Sequence, residues 1–141
     1  NQLLQGLPMT IFGDGMQTRA FSDIEDVAPM MADAIDTPGA WNQTFNVGAD
    51  QSYTLVQLAK AVAAAMGVPP RVRHLEARRE VMHAHATHDK ARRVFGVRRQ
   101  TSLEEGLGRM AAWVRDHGAR AGATFDPIEI TKNLPASWQN R

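Results

Sequence analysis

Three capping-box motifs fix where helices can begin in this chain of 141 residues. They start at Ser22, Thr54 and Ser102, and each has Glu or Gln three positions later. In such a motif the hydroxyl accepts a backbone N–H of the first turn, and the Glu or Gln side chain returns a bond to the capping residue. Apolar residues at helical spacing follow each motif. The first helix should begin between Ser22 and Asp26, and because Pro29 fits best in a first turn, we favour Asp26.

Short segments rich in β-branched and aromatic residues alternate with these helices. We predict strands at Met9–Phe12, Thr44–Val47 and Arg71–Leu75, with a short extended piece at Ala20–Ser22. A fourth, short helix is predicted at Asp89–Phe95. Such alternation is typical of α/β folds with some parallel pairing. We therefore expect a small sheet of about three or four strands packed with four helices.

Composition excludes several classes of protein. The absence of cysteine rules out disulfide frameworks, thiolate zinc sites and cysteine nucleophiles, and it fits a reducing compartment. The net charge of +1 gives too weak a field to attract nucleic acid, and no apolar run is long enough to span a membrane. We expect a soluble, cytoplasmic protein with no nucleic-acid or membrane partner. Because the chain begins at Asn1 and not at Met, we expect it to be trimmed or a piece of a larger protein.

Two arginine-containing segments are candidates for binding phosphate. In the first, the turn Gly13-Asp14-Gly15 lets the backbone approach a ligand closely, and Arg19 follows with a planar guanidinium suited to phosphate. The second segment is Arg78-Arg79-Glu80. Each also has a simpler interpretation, as a hairpin turn with a surface arginine and as a solvated loop with its own ion pair. Taken alone, each segment is explained better by the simpler interpretation.

Histidines give only weak support for a metal site. His83 and His85 would face the same side of a strand and could share a zinc ion, with Glu80 and Asp89 as the nearest carboxylates. Surface histidines, or one that hydrogen-bonds a ligand, explain the pattern better. No serine lies in a nucleophile motif. We therefore assign neither a metal site nor a catalytic residue.

A series of motifs in a fixed order resembles one protein family. The motifs are Leu7-Pro8-Met9-Thr10-Ile11-Phe12-Gly13-Asp14-Gly15-x-Gln17-x-Arg19-x-Phe21, Phe45-Asn46-Val47-Gly48, Arg78-x-Glu80-Val81 and Ser102-Leu103-Glu104-Glu105. Together they resemble the C-terminal, substrate-binding part of the NAD-dependent epimerase/dehydratase family. These extended short-chain dehydrogenase/reductases act on nucleotide sugars and include UDP-glucose 4-epimerase. The resemblance covers residues 5–118.

The resemblance implies a fold that lacks the main Rossmann half of the family. Complete members hold NAD on a glycine-rich turn and use a Tyr-x-x-x-Lys pair for chemistry. Here the only tyrosine is Tyr53, position 57 is Gln, and no Gly-x-x-Gly-x-x-Gly occurs. The resemblance therefore implies that this chain carries no catalytic residue and no cofactor, and that NAD belongs to the complete enzyme.

The resemblance also implies a site for a UDP-sugar. The matching substrate-binding positions are Thr10, Phe12, Arg19, Leu55, Arg78 and Glu80. Thr10 and Phe12 match the strand that lies along the uracil base, and Leu55 matches an apolar contact to the nucleotide. The two arginines match those that hold the diphosphate, and Glu80 matches an acidic position that binds the ribose. The sequence departs from the family in having one residue fewer between Arg78 and Glu80, and in having Asp23 where many members have tyrosine or histidine.

Two functions are consistent with this reading. The first is the nucleotide-sugar-binding part, residues 1–118, of an NAD-dependent sugar epimerase or dehydratase, followed by a tail at residues 119–141. The second is a non-catalytic binding or oligomerisation module derived from such an enzyme. In the family the strand that includes Phe45 lies beside the cofactor-domain sheet, so here its edge would be open to a second copy. We therefore expect a homodimer.

Overall fold

The computed structural model describes residues 1–96, 98–119 and Lys132. These residues form four α-helices and five short strands, which confirms the α/β class and the expected helices. In chain order the elements are β1 (Met9–Phe12), β2 (Thr18–Ala20), α1 (Ile24–Asp33), β3 (Ser52–Thr54), α2 (Leu55–Ala65), β4 (Val72–Leu75), β5 (His83–Ala84), α3 (Asp89–Phe95) and α4 (Leu103–His117). Apart from Ala119 and Lys132, the predicted tail lies outside the described residues.

The strands lie in two small sheets. β1 and β4 pair in parallel, with Phe12 opposite Leu75. β2 is the central strand of the second sheet, antiparallel to β3 and parallel to β5. The turn between β1 and β2 therefore joins two sheets, and its interpretation as a hairpin is wrong. Residues 9–20 and residues 72–84 therefore pair twice, as β1 with β4 in one sheet and as β2 with β5 in the other. The residues between β4 and β5 are consequently held beside this turn.

Helix α2 begins with a complete capping box. The Gln57 N–H donates to Thr54 Oγ1 at 3.1 Å, and the Thr54 N–H donates to Gln57 Oε1 at 2.8 Å. The helix packs against α4 and β1, and Ala59 and Ala63 are buried there. Small side chains at these positions allow a close approach between elements. Ile11 of β1 is also buried.

Helix α1 begins two residues before the favoured start. Its cap is Asp23, whose Oδ1 accepts the N–H of Glu25 at 2.9 Å. The start therefore falls within the predicted range of 22–26, but the preference for Asp26 is wrong, because the helix accommodates Pro29 beyond its first turn. The Ser22 hydroxyl does not cap the helix and accepts a backbone N–H from 27 residues away. Pro29 lies in the second turn, where it removes one helical hydrogen bond.

Residues 44–47 do not form a strand in the part of the chain that the structure describes. Contacts from α3 hold the segment: Lys90 Nζ donates to the Thr44 carbonyl at 2.9 Å, and the Phe45 and Phe95 rings meet edge to face at 5.2 Å. The β-forming residues there predicted a strand, and that prediction is wrong. A ladder also needs a neighbouring strand, and none of the described residues supplies one.

The other two helices match their predicted positions. α3 has the predicted bounds, and α4 begins after Ser102, whose hydroxyl accepts the Glu105 N–H at 3.1 Å. No helix within residues 1–96 and 98–119 combines the length and the apolar character that crossing a bilayer requires.

Candidate functional site

The turn between β1 and β2 is fixed against the start of α2. Carbonyl oxygens of Gly15 and Gln17 accept the N–H groups of Val56 and Leu55, both at 3.2 Å. These are amides of the first helical turn, which have no partner inside the helix. Gly15 is buried with φ +78°, and a Cβ there would lie 2.7 Å from Val56 Cγ2. The close contact and the positive φ both require glycine, so the turn has a defined position.

Arg19 extends from β2 towards the segment that precedes β5. Its Nη2 donates to Glu80 Oε2 at 2.9 Å, and its Nη1 donates to the carbonyls of Thr18 and Met82 at 2.7 and 3.3 Å. The side chains of Arg19 and Glu80 are 26% and 36% exposed, so solvent reaches both members of the pair. The structure therefore places two of the predicted residues in direct contact.

Gln17 joins this ion pair to β1, a role that the sequence did not predict. It is only 5% exposed, and its Nε2 donates to the Phe12 carbonyl at 2.9 Å and to Glu80 Oε1 at 3.0 Å. Gln17 stands between Gly15 and Arg19 in the motif that resembles the family. A polar residue at that position gave no sign of burial, since its partner Glu80 is 63 residues away.

Phe12 and Arg78 form a stacked pair. The Arg78 guanidinium carbon lies 3.2 Å from the centroid of the Phe12 ring, in cation–π geometry. Thr10 shares the same face of β1 by strand alternation, and its hydroxyl accepts a bond from Gln2 Nε2 at 3.2 Å. The strand therefore presents a hydroxyl and a ring covered by a guanidinium along one face.

Leu55 is connected to the site through its backbone. It is the first residue of α2, half-buried, and its N–H donates to the Gln17 carbonyl. Hydrogen bonds from Gln17 thus connect Phe12, Glu80 and, through Glu80, Arg19. Sequence reasoning identified the members of this cluster but not the buried amide that links them.

Tyr53, the only tyrosine of the sequence, and Gln57, four positions later, have structural roles here. Tyr53 lies in β3 opposite Arg19, and Gln57 belongs to the capping box of α2. His83 Nδ1 lies 2.9 Å from Thr18 Oγ1. Within the described residues, no three side chains of the metal-ligating kinds come together.

Two further charged clusters connect elements away from this site. Arg109 of α4 contacts Asp23 Oδ2 at 2.7 Å and also Glu25. The pKa of Asp23 is lowered first by the Glu25 N–H and then by Arg109. A Cβ at Gly106 would lie 3.0 Å from Asp23 Oδ2, so close packing accounts for this glycine inside a helix.

The second cluster surrounds Asp50. Its Oδ1 lies 2.9 Å from Nδ1 of the buried His88, and Arg92 pairs with its other oxygen. The bond to His88, followed by Arg92, lowers the pKa of Asp50. This cluster fixes α3 to the segment before β3.

Comparison with known proteins gives matches to individual proteins, while no family model matches the chain. The chain is 30% identical over 115 residues to UDP-glucose 4-epimerase of Mycolicibacterium smegmatis. It is 29% identical over 105 residues to dTDP-L-rhamnose 4-epimerase of Burkholderia thailandensis. The alignments cover 81% and 74% of this chain but 36% and 29% of those proteins, so the chain spans about a third of their length.

Solved structures share the fold over the same part. UDP-glucose 4-epimerase from Thermotoga maritima, solved with UDP-glucose, has a TM-score of 0.76 at 27% identity, over 82% of this chain and 37% of that one. UDP-glucuronic acid 4-epimerase from Bacillus cereus, solved with a UDP-sugar analogue and NAD, has a TM-score of 0.75 at 24% identity, over 83% and 38%. The second likeness shows the fold alone.

Proposed function

We propose that this chain binds a UDP-sugar, because it is similar in sequence and in fold to UDP-glucose 4-epimerases. It would form the substrate-binding part of such an enzyme. The observation that carries this proposal is the contact network in which the Gln17 amide joins Phe12 to Glu80 and thereby to Arg19.

The base and the diphosphate would bind different parts of this network. A flat heterocycle suits the face of β1 that carries Thr10 and Phe12, because an aromatic ring and backbone polar groups suit a planar base. The diphosphate would lie against the guanidinium groups of Arg19 and Arg78. Arginine provides several donors in a rigid plane and keeps its charge, so it suits phosphate oxygens.

Glu80 would accept a hydrogen bond from the ribose. Both of its carboxylate oxygens already accept one bond, from Gln17 and from Arg19. A carboxylate has room for about four hydrogen bonds, so a ribose hydroxyl can be added without breaking either contact. Leu55 would contribute apolar surface to the nucleotide from the start of α2.

The chemical step would depend on residues outside this chain. In its sequence Tyr53 has Gln, not Lys, four positions later, and no glycine turn of the dinucleotide-binding kind occurs. We propose that the 141-residue chain does not bind NAD and does not turn over a nucleotide sugar. We also propose that it forms a homodimer, because the Thr44–Val47 segment is rich in β-forming residues and has no neighbouring strand within the described residues.

Calorimetry with UDP and with uridine tests the assignment of Arg19. Arg19→Ala should weaken UDP binding by about tenfold, the loss expected for a charge-assisted hydrogen bond, and should leave uridine binding nearly unchanged. The control for loss of one positive charge is Arg93→Ala, because Arg93 is an exposed arginine on α3. If Arg19→Ala and Arg93→Ala have equal UDP affinity, the phosphate assignment is wrong.

A further inference from the structure

The orientation of the buried Gln17 amide is fixed by its partners. Its Nε2 is in contact with the Phe12 carbonyl and with the Glu80 carboxylate, at 2.9 and 3.0 Å. Both partners accept hydrogen bonds and neither donates, so only the NH₂ end of the amide can face them. With 5% exposure, Gln17 exchanges these bonds with solvent far less readily than a surface amide does.

The Glu80 carboxylate depends on the hydrogen bond from Gln17 for its position. Glu80 lies in the irregular segment between β4 and β5, and its side chain is 36% exposed. No strand or helix constrains its backbone there. Gln17, by contrast, lies in a turn that is hydrogen-bonded to α2. A well-placed donor from the turn therefore limits where the Glu80 carboxylate can lie.

We propose that Gln17 is a positioning residue, which holds the Glu80 carboxylate so that Glu80 in turn orients the Arg19 guanidinium for the nucleotide's phosphates. This inference rests on the proposed nucleotide-sugar binding. Arg19 Nη1 is held by the carbonyls of Thr18 and Met82, and Nη2 by Glu80. Loss of the bond from Gln17 would leave the Glu80 side chain free to change rotamer, and Arg19 would lose the partner that aligns Nη2.

The test uses Gln17→Met, which keeps the length of the side chain and removes the donor. Gln51→Met is the control, because Gln51 is exposed and its amide contacts only the neighbouring carbonyl of Ser52 among the bonds described. Two quantities are measured on the 141-residue chain. One is the order parameter of the Arg19 Nε–Hε bond from ¹⁵N relaxation without ligand, and the other is UDP affinity by calorimetry.

The expected result is a more mobile Arg19 side chain in Gln17→Met and UDP binding weaker by about tenfold, as for loss of a hydrogen bond to a charged group. Gln51→Met should change neither quantity. If Gln17 acts through Glu80, its substitution should change UDP affinity by less than about twofold in a Glu80→Ala background. An unchanged Arg19 order parameter in Gln17→Met, or losses that add in the double variant, would overturn the proposal.

Two arrangements keep the test decisive. Glu80→Ala changes an exposed position, so it should mobilise Arg19 in the same way even if Gln17→Met does not fold. Relaxation is measured without ligand, so it tests the positioning role of Gln17 independently of the proposed UDP binding. If wild type binds no UDP but Gln17→Met mobilises Arg19, the proposed function fails and the positioning role of Gln17 stands without its phosphate ligand.

Discussion

Gly15→Ala should destabilise the fold more than any other glycine substitution for which the structure gives the surroundings. An alanine there would keep φ near +78° and place its Cβ 2.7 Å from Val56 Cγ2 and 3.1 Å from Ile11 Cγ2. The left-handed backbone and the overpacking together should lower the free energy of unfolding by about 3 kcal/mol. That is a large part of the stability of a typical small domain, about 5–15 kcal/mol.

Urea denaturation followed by circular dichroism measures this loss, and Gly67→Ala is the matched control. Gly67 has φ +67°, but no atom lies within 4 Å of the position its Cβ would take. Alanine there should lower the free energy of unfolding by only about 1 kcal/mol, from the backbone alone. Equal losses in the two variants would refute the reasoning, because they would show that the contact with Val56 contributes nothing.

Four further results are expected. Thr54→Ala should lower the free energy of unfolding by about 1 kcal/mol by removing the cap of α2, whereas Thr87→Ala, at an exposed position, should change it little in urea denaturation. The folded-state pKa of Asp50 is lowered by His88, so its stabilising contribution is complete above the ordinary value of 3.8 and is lost as pH falls below it. In Asp50→Asn the free energy of unfolding should therefore fall less steeply as the pH is lowered through the acid range. An unchanged pH dependence in urea denaturation would contradict this. Titration of the chain with NAD should release no heat of binding. A measurable affinity would reject the proposal that this chain does not bind NAD. Light scattering should give the mass of a dimer, and a monomer at high concentration would count against pairing through the Thr44–Val47 segment.

Local signals in the sequence predicted the helices well. The capping signals at Thr54 and Ser102 act over three residues. Both bonds of the box form at Thr54, and the Ser102 hydroxyl accepts the Glu105 N–H as the spacing predicts. The box at Ser22 fails because another residue competes for its role. Asp23 caps α1 from one position later, and the Ser22 hydroxyl is bonded to a segment 27 residues away. Spacing alone cannot show which of two adjacent capping residues is used.

Signals for strands were less complete, because a strand depends on its neighbour. Met9–Phe12 and Thr44–Val47 have similar compositions, but only the first has a partner, β4, within the described residues. Phe12, Arg19, Arg78 and Glu80 were identified as candidates by resemblance to a family. Their contacts with one another could not be derived from local patterns, since Arg19 and Glu80 are 61 residues apart.

The paired strands explain why these distant residues nevertheless meet. β1 runs parallel to β4 as far as Phe12 opposite Leu75, and β2 runs parallel to β5 from Thr18 opposite His83. The turn after β1 and the segment after β4 therefore start side by side and end side by side, in two different sheets. Any residue between these two pairings is confined to a short distance from the facing segment, which places Gln17 within reach of Glu80. A variant that breaks either pairing should consequently disturb the ion pair at Arg19 even when it changes none of the residues in the cluster.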